Sequence, residues 1–255
     1  NNVDIFVNRD PRLYETMVVN RNNLVEQYQG LSSTELWQGG NVDQTFNPAV
    51  TDNPWSTRMK LFKYLRDNGY AAYHPTNFAY LRMADIHLCY AEALAQTGNL
   101  PKACDEMNKV RARVGLGKIE VMNPGLNLTS NKDNFIEQLL KERACEFGYE
   151  DSRWYDLIRY KRSDIFKKQV HQLRVWRKDA NGNKMNPADY NDDTSLEPGE
   201  PWPNCIYEKI PCTNNTRVWW NTENQTSKWT DKWYLAPISR DEINKGYGLN
   251  QNPGW

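Results

Sequence analysis

The hydrophobic positions of this 255-residue chain change character twice along its length. Residues 22–80 mix Asn, Gln, Gly, Pro and aromatics with no sustained period, which predicts long ordered loops with at most short helices. From Leu81 the spacing turns helical. Ala84, Leu88, Ala91 and Ala95 recur at helical intervals, and beyond Gly98 and Asn99 the series Ala103, Met107, Val110 and Val114 repeats them. Two amphipathic helices joined so closely fold back antiparallel. Gly98 suits the left-handed residue past a helix end, Asn99 the next N-cap, and Gly115 the close of the second helix. A third helix is predicted from near Ser130, burying Phe135, Ile136, Leu139, Leu140, Ala144 and Phe147, and a fourth from about Ser152 to Lys161. After Phe166 the pattern loosens. "VWRKDANGNKM" holds Asn181 and Gly182, a hairpin signal because both tolerate positive φ. Residues 189–203 read as an acidic, proline-containing surface excursion, and the tryptophan-rich tail beyond it predicts short β-like runs.

Within the helical stretch, "YAEALAQTGNLPKACDEM" resembles one tetratricopeptide unit, with Tyr90, Ala91, Gly98 and Ala103 where such pairs need an aromatic wedge and small contacts. Units of this kind stack on neighbours, so further repeats are expected in sequence beyond this chain or in helices too degenerate to recognise.

Composition narrows the picture. Lysine plus arginine balance aspartate plus glutamate at 32 each, so no global field favours nucleic acid or an anionic membrane. The tryptophans have no accompanying basic stripe, which argues further against nucleic acid. No apolar run approaches the ~20 residues of a membrane-spanning helix. The chain opens at Asn1 in polar sequence, without a signal segment, and is expected to be a fragment or a processed chain. Cys89, Cys104 and Cys145 sit among apolar residues of predicted helices and read as small buried thiols, while Cys205 and Cys212 flank a short loop that a disulfide would close in an oxidising compartment. His74, His87 and His171 are too scattered for a metal site. Asp179, Asn181 and Asn183 mimic the start of a calcium loop, but its twelfth position is Tyr190 rather than glutamate. No cofactor motif occurs.

The chemistry is densest in "ERACEFGYEDSRWYDLIRYKRSD", residues 142–164. Glu146 and Glu150 lie one helical turn apart, within the range of paired carboxylates in glycoside hydrolysis. Against that reading, Arg143, Arg153 and Arg159 are interleaved with them, and a nearby guanidinium holds a carboxylate ionised and spoils it as a general acid. Asp156 is three residues from both Arg153 and Arg159, Trp154 shares a face with Leu157 and Ile158, and Tyr155 is placed to lie over Arg159. The stretch therefore reads as a structural clasp rather than a catalytic pair.

Those residues carry a resemblance. "ERACEFGYEDSRWYDLIRY" is similar, position by position, to the signature of the SusD/RagB family of outer-membrane nutrient-binding lipoproteins. "DPRL" at Asp10 to Leu13, "YLRMADIHLCYAEAL" with "MNKVRARVGL", and the ending "WYLAPISRDEINKGYGLNQNPGW" agree with the family's C-terminal half in the same order. Asp151 departs from the family's usual glycine, Tyr160 from its tryptophan, and Ala236 and Ser239 from an aromatic and a proline. A left-handed turn tolerates aspartate at the first of these. The resemblance implies a mainly α fold: tetratricopeptide-like helix pairs in a SusD-like alpha-alpha superhelix, with long ordered loops and short β-hairpins. It implies one SusD-like C-terminal region over 1–255: a loop-rich ligand-side segment at 1–80, a helical scaffold at 81–165, and loops, hairpins and a packing segment at 166–255. It also implies a non-enzymatic surface lipoprotein of the outer membrane, without cofactor, catalytic residue or metal. Such a protein binds a glycan and delivers it to a SusC-like TonB-dependent transporter, its lipid anchor lying in an N-terminal part not in this chain. A peptide-binding member of the family, a tetratricopeptide protein-interaction module working through the helix pair's concave face, and a glycoside hydrolase using Glu197 or Glu200 remain alternatives.

Family motifs do not supply ligand contacts, which sit on variable loops. A sugar offers an apolar CH face to Trp or Tyr and hydroxyls to amides and charged groups. The segment after "DPRL" matches best: Tyr28, Trp37, Gln38, Asn41, Trp55 and Tyr73 are the expected contacts, with Tyr70 and His74 nearby. Packing of Trp37 beneath the loop is the competing role. Trp219, Trp220 and Trp229 are weaker candidates, and Trp233, Tyr234 and Trp255 read as packing.

Overall fold

Apolar residues at helical spacing produce helices where the sequence places them. The structure, a computed structural model, describes Phe6, residues 8–17, Val19, Leu36, Trp37, Lys63, and residues 79–168, 171–189, 205–211 and 229–255. Its backbone divides into two compact units, residues 1–152 with 173–208, and residues 153–172 with 209–255.

In the first unit, α1 (Pro11–Thr16) begins with Asp10 as N-cap and Pro11 at the first turn. α2 (Met83–Gln96) and α3 (Leu100–Arg113) are joined by three residues and pack together. Asp85 accepts from the Arg82 backbone N–H at 3.2 Å and closes the start of α2. Gly98, at φ 90°, takes the left-handed turn that lets the Asn99 N–H reach the Leu94 carbonyl at 2.8 Å. The Asn99 side chain then accepts from the Lys102 N–H at the head of α3. All four predicted core positions of α2 are buried, as are Ala103, Met107 and Val110 of α3, with Val114 half-buried. After the short α4 (Ile119–Met122), α5 (Lys132–Glu146) packs on α2 and α3 and buries Phe135, Ile136, Leu139 and Leu140, with Phe147 following as C-cap.

Strand β1 (His171–Arg177) pairs with β2 (Cys205–Pro211). Side chains alternate along each strand. Leu173, Val175, Cys205 and Tyr207 gather with Phe6, Val19, Leu36 and Trp37 in one hydrophobic cluster. Trp176 and Glu208 meet elsewhere, the indole N–H donating to the carboxylate at 2.9 Å. The expected hairpin follows β1, with Lys178 and Lys184 in an antiparallel bridge. Asp179 spends its Oδ1 on the amides of Asn181 and Asn183, at 2.8 and 2.7 Å, inside that turn.

The second unit contains α6 (Arg153–Arg159), α7 (Ser163–Phe166) and α8 (Arg240–Asn244). Its core is aromatic. Trp229 stacks on Phe166 at 4.0 Å between ring centres, and Trp233 and Tyr234 meet Trp229 edge-on at 5.7 and 5.1 Å. Trp255 donates through Nε1 to the carbonyls of Lys232 and Leu235, both at 3.0 Å, and pins the terminal segment.

Several expectations need correction. Cys89 and Cys145 are exposed, and of the three helical cysteines only Cys104 is buried, because its neighbours lie on the inner face of α3. Tyr90 is 43 % exposed beneath the Lys102 ammonium rather than wedged between helices. Ala144 is only half-buried. Arg159 lies over Tyr160, at 4.6 Å, not Tyr155. The "WYLAPI" stretch is a 3₁₀ turn, Asp231–Tyr234, followed by extended chain. Cys212, Trp219, Trp220, Glu197 and Glu200 lie outside the described residues.

Candidate functional site

The turn after α5 sets up the densest charge cluster. Glu142 and Glu146 occupy successive turns of α5 on one face, and Glu150 continues that line where the chain leaves the helix. Tyr149 and Asp151 take positive φ, 64° and 61°, so the chain turns sharply on either side of Glu150. Aspartate adopts this conformation at modest cost.

Each carboxylate is met from other elements. Glu142 accepts from Arg12 Nη1 and Arg111 Nη1, both at 2.7 Å. Glu146 is contacted by three guanidiniums: Arg12 at 3.1 Å, Arg113 at 2.9 and 3.0 Å, and Arg82. Glu150 accepts from Arg82 Nε at 2.8 Å and Nη2 at 2.9 Å, and also pairs with Lys63. Asp10 grips Arg12 bidentately at 2.6 and 2.9 Å. Arg82 heads α2 and Arg113 ends α3, so their meeting at one carboxylate requires the antiparallel pair that the short linker imposes. A cleft of about 520 Å³ opens over these groups, lined among others by Arg12, Lys63, Arg82 and Glu146.

This geometry settles what Glu146 can do. Burial alone would push its carboxyl up, but the hydrogen bonds from Arg82 and Arg12 and the charge of Arg113 outweigh it and hold the group below its ordinary range. Asp10 is likewise lowered, the Arg12 bonds overcoming its desolvation. Glu146 thus holds no proton to give near neutral pH, and its oxygens are occupied. The cluster is a clasp that fixes α1, α2, α3 and α5 in register. Desolvation offsets most of the coulombic gain of such buried pairs, so the clasp contributes specificity of packing more than net stability.

The clasp reading comes from the sequence; the partners do not. Arg143 lies over Phe147 at 5.1 Å and reaches Cys89 Sγ at 3.8 Å. The working cations, Arg12, Arg82, Arg111 and Arg113, were legible only as one arginine or more in each of the separate blocks "DPRL", "YLRMADIHL" and "MNKVRARVGL".

The expected ligand contacts are not brought together here. Trp37 has no accessible surface: it is enclosed by Leu36, Val19, Phe6, Val175 and Cys205, with the Arg177 guanidinium 5.8 Å from its ring centre. A ring so enclosed offers no face to a sugar, which corrects the expectation in favour of packing. Trp229 is 5 % exposed and belongs to the aromatic core. Tyr28, Gln38, Asn41, Trp55 and Tyr73, with Tyr70 and His74, lie outside the described residues.

Known proteins place the chain. It is 31 % identical over 102 residues to SusD-like protein P38 of Formosa agariphila, covering 40 % of this chain and 20 % of that protein. It is 32 % identical over 114 residues to a SusD-like protein of Bacteroides ovatus, covering 42 % of this chain and 18 % of the other. A crystal structure of a SusD-like protein from Bacteroides fragilis superposes with a TM-score of 0.64 at 23 % identity, covering 98 % of this chain and 40 % of that one, and so shares its fold. The matched regions span about a fifth of the length of the curated relatives. The profile of the SusD family matches residues 1–255, and with a helical scaffold closed by its arginine clasp the chain belongs to the SusD family.

Proposed function

We propose that this chain forms part of a cell-surface protein that binds a glycan and delivers it to a SusC-like TonB-dependent transporter in the outer membrane. The observation that carries this reading is the family match over the whole chain. The clasp supports it from the physical side: the most carboxylate-rich site described is neutralised scaffold, leaving ligand chemistry to the loops it holds. Tyr28, Gln38, Asn41, Trp55 and Tyr73 are the proposed contacts, Trp55 being the stacking platform now that Trp37 is packed inside. Membrane attachment is through a lipid anchor, and among the described residues no helix is long and apolar enough to cross a membrane. A protein-interaction module is the second reading, favoured by the exposed apolar side chains Leu81, Met83 and Ile86 at the start of α2.

A screen of immobilised glycans against the intact protein tests the first reading. At least one glycan is retained, Trp55→Ala weakens its binding by about tenfold, and prolonged incubation releases no shorter products. Failure of every glycan to bind, or chromatographic appearance of fragments, overturns it.

A further inference from the structure

A second cleft, of about 370 Å³, lies between the start of α2 and the end of α3. Its volume falls within the roughly 300–1,000 Å³ of small-ligand sites. Met83, Ala84 and Val110 give it apolar walls, and Arg82, His87, Lys109 and Arg113 supply the rest, so no carboxylate among the described residues lines it. Two of these cations have donors to spare. The Lys109 ammonium carries three N–H groups and, among the described residues, makes one bond, to Glu106 at 2.7 Å. Arg113 engages Glu146 through Nη2 alone, leaving Nη1 and Nε without a hydrogen bond among the described residues. Both side chains are more than half exposed, at 53 % and 58 %. Arg82, by contrast, is spent on Glu146 and Glu150, and His87 holds Glu106 through Nδ1 at 2.8 Å.

We infer that this cleft binds an anionic saccharide, its carboxylate or sulfate group bridging Lys109 and Arg113 while the CH face of the ring lies against the exposed Met83. The inference rests on the glycan-binding reading and adds to its loop contacts a second, charge-selective subsite on the helical scaffold. Glu106 and Glu146 sit behind their cations and anchor them, so the outward N–H groups are pre-positioned and little side-chain freedom is lost on binding. Both cations are solvent-facing, so the interaction weakens with added salt.

Calorimetric titration of the intact protein with hexagalacturonate, a chondroitin sulfate hexasaccharide and maltohexaose tests it. At least one acidic hexasaccharide binds, and Lys109→Glu weakens it by about tenfold or more without altering any maltohexaose binding. Met83→Glu places a like charge at a site 61 % exposed and touches no ion pair of the clasp, so it repeats the loss in a protein that folds normally. Binding of maltohexaose alone, or acidic hexasaccharide binding unchanged in both variants, overturns the inference and leaves the glycan reading standing. Absence of binding by any glycan in the wider screen removes both.

Discussion

The two compact units are held by opposite means. In the first, Glu142, Glu146 and Glu150 are tied by cations from four other places in the chain, each bond directional and each charge costly to strand. In the second, Trp229, Phe166, Trp233 and Tyr234 pack ring against ring, with the short Asp156–Arg159 pair on one helix beside them. Ion pairs of this kind fix register, since a carboxylate displaced by one turn leaves its guanidiniums unpaired in a poor solvent. Aromatic contact is more forgiving of small shifts and indifferent to protonation. A clasp therefore suits a scaffold whose helices must hold one arrangement, and an aromatic nest suits a segment that closes on itself.

The sharpest way to break this contrast is Glu146→Ala. It removes the enclosed carboxylate that Arg12, Arg82 and Arg113 share, leaving Arg12 to Asp10 and Glu142 and Arg82 to Glu150, and a loss of about 1–3 kcal/mol is expected in denaturant unfolding of the first unit. Near-ultraviolet dichroism of the Trp229 nest should survive at denaturant concentrations that melt the variant's helices. Coincident loss of both signals would mean the two units share one cooperative transition.

Acid sharpens the comparison with a smaller effect. Glu146 and Asp10 have carboxyls lowered in the folded state, so their contribution is present above the ordinary carboxylate range of about pH 4 and is lost as pH falls through the lower folded values. Melting followed by helical dichroism should therefore fall steeply below about pH 4, whereas the aromatic nest should change less over the same range, since among the described residues beside it only Asp164, paired with Arg162, is a carboxyl held low. A flat profile for the helices would remove the clasp as a stabilising element.

The smallest expected change is a gain. Asp151 holds φ 61° without a hydrogen bond or ion pair to compensate among the described residues, so Asp151→Gly should raise stability of the turn by about 0.5–1 kcal/mol through relief of left-handed strain. A drop in melting temperature would show that Asp151 earns its place through a contact rather than tolerating the turn.

How much was legible in the sequence differs between these regions. The caps and core period of the α2–α3 pair were legible, with Asn99 and Gly98 at their expected posts, because they are local properties of the chain, whereas Cys89 and Tyr90 proved exposed. α5 and its core positions were plain too, Ala144 and Cys145 excepted. The site was harder. "ERACEFGYEDSRWYDLIRY" announced a clasp, yet Arg143, the nearest arginine, turned to Phe147, while Arg12, 130 residues away from Glu142, took the carboxylate. Trp37 illustrates the same limit. An indole in a polar loop and an indole plugging a core look identical in one dimension, and only its enclosure by Val175 and Cys205 distinguishes them.

What the sequence determined by itself was whatever depends on neighbours within a few residues: the helices, their caps, the hairpin at Asp179 to Asn183, the left-handed turn at Asp151, and through its ordered motifs the family. Tertiary structure alone decided which cation meets which carboxylate, which tryptophans face inward, and where Lys109 and Arg113 come to share a cleft. The reason is that caps and periodicity follow from bonds along the chain. Charge pairing and burial depend instead on distances through space, which are fixed only when the helices have packed.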